Sequence, residues 1–143
     1  TVFCDVTGEG AKRYGGRWNF RGYPVLYGCN SVAAALLERL TIDSELFASE
    51  RYTLYSVMEF DCDDTLVYVP KLSELPRGWD AIPFAKASQE FGTAFLRKGL
   101  LCMAIPSVVD VTSSNFIINP ESPDFSKIKW KVYPLTLDQR IVR

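Results

Sequence analysis

The residues able to do chemistry in this chain are an arginine set among glycines, a carboxylate on a helix, and hydroxyl or amide groups at the ends of apolar runs. Arg17 lies between Gly15-Gly16 and Trp18-Asn19, in a stretch that also holds Gly8, Gly10, Gly22, Gly28, Lys12, Arg13 and Arg21. Glycine lets backbone N–H groups approach phosphate oxygens, and a guanidinium offers a planar fork that matches them. The spacing is neither that of a P-loop nor that of a dinucleotide fingerprint. A solvated surface arginine is the competing reading for Arg13, Arg17 and Arg21. Glu38 falls in a run with helical spacing, nearly opposite Val32, Leu36, Leu37 and Leu40 on the wheel and beside Ala34 and Ala35. A helix face so small and so poor in charge is expected to line a groove, against the alternative of a solvated carboxylate. Ser107 follows Pro106 between two apolar runs, and Asn115 ends the polar break Thr112-Ser113-Ser114-Asn115. Strand ends present functional side chains, although turn chemistry accounts for both residues equally. Tyr27 closes a short apolar run, as a core aromatic or as a ring set against a ligand.

Composition narrows the chemistry. The 143 residues contain no histidine, which removes imidazole acid/base catalysis, Ser-His and Cys-His nucleophile pairs, and histidine metal ligands. Cys4, Cys29, Cys62 and Cys102 stand singly with no C-x-x-C pair, so no zinc ribbon or thioredoxin motif is present, and all four are expected to be buried small hydrophobes in a reducing compartment. Sixteen basic against 17 acidic residues give a net charge of −1. That balance supplies no basic footprint for nucleic acid. With no apolar run of membrane-spanning length and no signal-like start, a soluble, cytoplasmic protein without a membrane partner is expected.

The elements that must position these groups follow from pattern. Residues 8–22 read as a basic, glycine-rich loop, and Pro24 to Tyr27 as a short strand. Ser31 is expected to cap a helix reaching about Leu40. Tyr52 to Asp61 and Thr65 to Val69 read as strands, and Leu75 to Trp79 as a turn. Pro83 is expected to open a second helix that runs to about Lys98 and stops at Gly99. Leu101 to Ile105, Val108 to Val111, Phe116 to Ile118 and Lys127 to Leu137 are strand-like. This order predicts an α+β domain spanning residues 1–143, with curved, mostly antiparallel sheets and a few flanking helices.

Seven segments, taken in order, resemble the RES domain, the toxin of RES-Xre toxin-antitoxin pairs. They are Gly15 to Asn19, Gly22 to Tyr27, Ser31 to Glu38, Leu75 to Trp79, Ile105 to Ser107, Asn115 to Pro120, and Asp138 to Arg140. Such domains often carry Asn-Pro-x-His-Pro where this chain has Asn119-Pro120-Glu121-Ser122-Pro123. The resemblance implies an ADP-ribosyltransferase-like fold that uses NAD as substrate rather than as resident cofactor. It implies cleavage of the nicotinamide–ribose bond by hydrolysis or phosphorolysis, with transfer of ADP-ribose to a protein as the alternative. A non-catalytic NAD- or partner-binding module is a third. It further implies Glu38, Arg17 and Ser107 as catalytic residues and Arg17, Tyr27, Ser107 and Asn115 as substrate-binding ones, with no metal. An Xre-family antitoxin covering the cleft and a homodimer are the expected partners, with Trp79 and Trp130 as exposed interface candidates.

Overall fold

The computed structural model describes residues 5–143, and Cys4 lies outside them. In chain order the regular elements are α1 (Glu9–Tyr14), β1 (Leu26–Cys29), α2 (Val32–Leu40), β2 (Ser56–Asp61), β3 (Val67–Tyr68), α3 (Lys86–Arg97), β4 (Cys102–Pro106), β5 (Ser114–Ile118) and β6 (Lys129–Pro134). They form a four-stranded sheet ordered β1-β5-β4-β3 and a separate β2-β6 pair. All pairings are antiparallel except β3 with β4, so the α+β expectation holds, with the sheets mostly antiparallel.

Strand alternation divides the larger sheet into two faces. Tyr27 pairs with Ile117 and Cys29 with Asn115, while Met103 and Ile105 lie opposite Ile117 and Asn115 on β4. The apolar members of that face pack with Trp18, Val25, Leu75, Phe95 and Leu96. The opposite face carries Leu26, Phe116, Ile118 and Cys102, packed with Leu101 and Ile128 and against Phe60, Phe125 and Trp130. A groove of about 920 Å³ runs between the two sheets on this second side, lined by Leu26, Gly28, Phe60, Phe116, Ile118 and Trp130 among others.

Helix α3 spans the first core. Its Gly92 lies against Trp18 so closely that an added Cβ would sit 1.9 Å from the Trp18 carbonyl oxygen. Only glycine fits that crossing. Trp18 in turn stacks on Trp79 at 6.4 Å and meets Phe91 edge-on at 6.0 Å.

Several expectations need correction. Residues 9–14 form α1 rather than loop, because the helix-favouring run from Glu9 to Tyr14 is bracketed by Gly8 and Gly15 at φ 73° and 76°. Helix α3 starts at Lys86, not Pro83, and ends before Gly99. Tyr52 to Leu54 is a 3-10 turn ahead of β2, and Thr65 to Val69 shortens to β3 because Asp63 caps a 3-10 turn through the Thr65 N–H. Val108 to Val111 is no strand but the connection between β4 and β5, closed by side-chain acceptors on Ser107 and Asp110. Neither Trp79 nor Trp130 is exposed, since each packs half-buried on one of the two cores. Of the cysteines, Cys102 is buried while Cys29 and Cys62 are half-buried.

Candidate active site

The first turn of the site comes from local hydrogen bonding. Gly16 and Asn19 exchange backbone bonds at 3.1 and 3.4 Å, closing a tight turn that sends Trp18 into the core and Arg17 the other way. Asn19 is fully buried and donates from Nδ2 to the carbonyls of Ala11, Phe20 and Tyr23. Its Oδ1 accepts from the Tyr27 hydroxyl at 2.6 Å, and that hydroxyl accepts from the Trp18 N–H at 3.2 Å. Tyr27 as a residue is 44% exposed, whereas its hydroxyl is enclosed by residues 16–19. Burial therefore pushes the phenol above its ordinary range, and it stays a neutral donor.

Arg17 donates from Nη1 to the carbonyls of Trp79 at 3.0 Å and Ala81 at 2.7 Å, docking the 79–81 loop. Burial lowers its pKa from the ordinary value, while the charges of Glu38 and Asp80 and the Tyr27 phenol act in the opposite direction. Among the described residues, neither its Nε nor its Nη2 is engaged, and no carboxylate lies within ion-pair distance. Two nitrogens of the fork, carrying three N–H groups, thus remain for an anion.

Glu38 is carried by α2, whose N-cap Ser31 accepts from the Ala34 N–H at 3.1 Å, as the sequence predicts. The face that carries Glu38 turns toward the sheet. Ala34 is its buried residue, one turn before Glu38, while Val32 and Leu37 remain 38% and 45% exposed. Ala34 packs inward, and its small side chain lets the helix approach the sheet closely enough for Glu38 to reach it, while Ala33 and Ala35 stay exposed.

There, Glu38 Oε1 accepts from Ser107 Oγ at 2.7 Å and from Asn115 Nδ2 at 3.1 Å. Ser107 is 2% exposed, and its hydroxyl also accepts from the N–H groups of Val109 and Asp110, each at 3.1 Å. One donated and two accepted bonds fill a hydroxyl's capacity. Ser107 in this conformation therefore holds the carboxylate and the 107–110 turn, with nothing left for a ligand. Among the described residues no donor reaches Glu38 Oε2.

Of the residues singled out from sequence, Glu38, Ser107 and Asn115 meet directly, while Arg17 and Tyr27 form a second group coupled to the first through the Arg17–Glu38 field. The inter-sheet groove is not this site. Most of its lining lies on the other face of the sheet, and of Arg17, Tyr27, Glu38, Ser107 and Asn115 only Tyr27 borders it, beside Cys29 and Trp130. Sequence reasoning missed Asn19, Asp80 and Cys29. The strand period of two was the available signal for Cys29, since it puts that residue on the same face as Tyr27. Among the described residues no group of three or more His, Cys, Asp or Glu side chains is arranged to hold a metal ion.

Comparison with known proteins agrees with the motif order. Residues 2–138 match the RES domain. The chain is 33% identical over 145 residues to the "Prs ADP-ribosylating toxin" of Sphingobium sp., covering 97% of this chain and 88% of that protein. It is 31% identical over 145 residues to "Toxin Res" of Pseudomonas putida, covering 99% and 95%. It is 28% identical over 131 residues to "Toxin Res" of Yersinia enterocolitica, covering 91% and 84%. With a match across nearly its whole length, and with Arg17, Glu38 and Ser107 standing in the segments that first suggested it, this chain belongs to the RES domain family.

Proposed function

We propose that this protein is a toxin that consumes NAD by breaking the bond between nicotinamide and ribose. The observation that carries the reading is the Glu38 carboxylate, pinned through Oε1 by Ser107 and Asn115 and open at Oε2, in the field of an arginine it does not pair with. A carboxylate and a cation held near each other without an ion pair suit a substrate that brings both charges of its own. Nicotinamide in NAD is cationic, and the pyrophosphate is anionic.

When the C1′–N bond breaks, its electron pair stays on the ring nitrogen and the ring leaves neutral, so no strong acid is required. The absence of histidine is therefore no obstacle. The ribose is left electron-deficient at C1′, and a fixed carboxylate at the ribose hydroxyls stabilises that charge. An oxygen of water or phosphate then adds to C1′ and gives up its proton to solvent. Arg17 would hold pyrophosphate oxygens through Nε and Nη2, and Tyr27 would flank the nicotinamide with its ring. Asn115 and Ser107 keep the carboxylate aimed. An Xre-family antitoxin over this cleft fits the exposed apolar residues Ile82, Phe84, Val109 and Val111, which lie on or beside the loops tied to Arg17 and Ser107.

A second reading, ADP-ribose transfer to a protein side chain, is favoured by the name of the Sphingobium relative. Incubation with NAD alone, with and without phosphate, separates the two. Free nicotinamide appearing without any acceptor protein is the expected result. Release only when an acceptor protein is added would move the assignment to the transferase, and intact NAD under all conditions would refute both.

A further inference from the structure

Among the described residues, Cys29 is the one cysteine that strand alternation puts on the site's face of the larger sheet. Cys102 is buried on the opposite face, and the Cys62 thiol contacts the Asp63 carbonyl outside the site. Cys29 is the cross-strand partner of Asn115, and its Sγ lies 3.5 Å from Asn115 Oδ1. Among the described residues no other donor reaches that oxygen. A carboxamide has two orientations that differ only in which end carries the N–H groups, and its neighbours choose between them. Only one orientation suits Glu38, because Oδ1 turned toward the carboxylate would set two oxygens against each other.

We propose that Cys29 is a positioning residue for Glu38: its S–H donates to Asn115 Oδ1, which fixes the carboxamide with Nδ2 donating to Glu38 Oε1. The chain of contacts runs Cys29, Asn115, Glu38, with Ser107 holding the same carboxylate oxygen from the other side. The thiol is suited to this because it stays protonated. Burial first, and then the Glu38 charge, push its pKa up to about 11. A thiolate there would be repelled by Glu38 and would have no proton to give. In its kinetic consequence the inference rests on the NAD-cleaving reading, and in its structural consequence it stands alone.

The test pairs turnover with the side-chain amide resonances of Asn115 in isotope-labelled protein. Cys29→Ala is expected to lower kcat about threefold to tenfold with KM unchanged, the range of one lost hydrogen bond. It should also narrow the separation between the two Asn115 Nδ2 proton signals. Cys29→Ser, whose hydroxyl is a donor, should recover both relative to Cys29→Ala. In an Asn115→Ala background, Cys29→Ala should change kcat no further, since the effect passes through the carboxamide. Wild-type kcat and unchanged Asn115 signals in Cys29→Ala would overturn the proposal, as would additive effects in the double variant. If the wild type leaves NAD intact, the functional reading fails, and the Asn115 signals in the Ala and Ser variants still decide whether Cys29 orients the carboxamide. If Cys29→Ala does not fold, Cys29→Ser carries the same decision: displaced Asn115 signals in that variant would sink the proposal.

Discussion

At the scale of single residues, the site separates groups that do chemistry from groups that hold them. Glu38 has one oxygen committed to the protein and one free, so removing its charge while keeping its shape should strike the reaction more than the fold. Glu38→Gln is expected to cut nicotinamide release about 100-fold, as for loss of one fixed electrostatic contact to a transition state, with thermal stability nearly unchanged. Ser107 has the opposite profile. Ser107→Ala strands the N–H groups of Val109 and Asp110 and leaves Glu38 Oε1 held by Asn115 alone, so it should lower both turnover and stability. The stability loss is expected at about 1–3 kcal/mol, read by denaturant unfolding. A Ser107→Ala protein that loses activity at full stability would show that the hydroxyl serves a ligand instead.

At the scale of elements, the site depends on two placements, the α2 helix that carries Glu38 and the Gly16–Asn19 turn that aims Arg17. The turn is held from behind by α3, where Gly92 leaves room for the Trp18 backbone. Gly92→Ala must push the two apart, and is expected to destabilise the protein by about 3 kcal/mol or more, measured by urea unfolding. Helix α2 begins at the Ser31 cap and packs by its Ala34 side. These two features put Glu38 over the end of the sheet rather than in solvent. The exposure of Val32 and Leu37 is the complement of that choice.

At the scale of the whole molecule, the larger sheet is a partition, with the Glu38 cluster on one face and the apolar inter-sheet groove on the other. This two-sheet α+β arrangement is that of the RES domain, which is ADP-ribosyltransferase-like. Among the described residues no helix is long and apolar enough to cross a membrane. The segment after α2 is tied down by Asp43, which accepts from the Tyr55 hydroxyl at 2.5 Å and from Arg51 Nε at 3.0 Å. Those bonds hold its carboxyl below the ordinary value of 3.8. A carboxyl depressed by folding stabilises the protein above its unfolded pKa, and that contribution disappears as pH falls through the lower folded value. Acid should therefore destabilise the fold below about pH 4. Asp43→Asn should flatten that part of the stability profile, as followed by circular dichroism across pH. An unchanged acid slope would show that other carboxylates govern it.

Local features of this protein were legible without coordinates. The Ser31 cap, the four-residue spacing of α2 and the α+β order rest on interactions spanning a few positions, and propensity and periodicity report those directly, whereas Arg17, Glu38 and Ser107 stood out as a set only through the resemblance to the RES domain. The rest depended on partners remote in sequence. The wheel shows that the face of α2 carrying Glu38 is small and poor in charge, but not which strands it meets. Ser107 meets Glu38 across 69 positions, and Arg17 finds its carbonyls 62 and 64 residues downstream. Such pairings are decided by how two sheets and three helices bury their apolar faces together, a collective outcome that no local window contains. The same packing fills the Ser107 hydroxyl, leaves one Glu38 oxygen open and sets Cys29 beside Asn115.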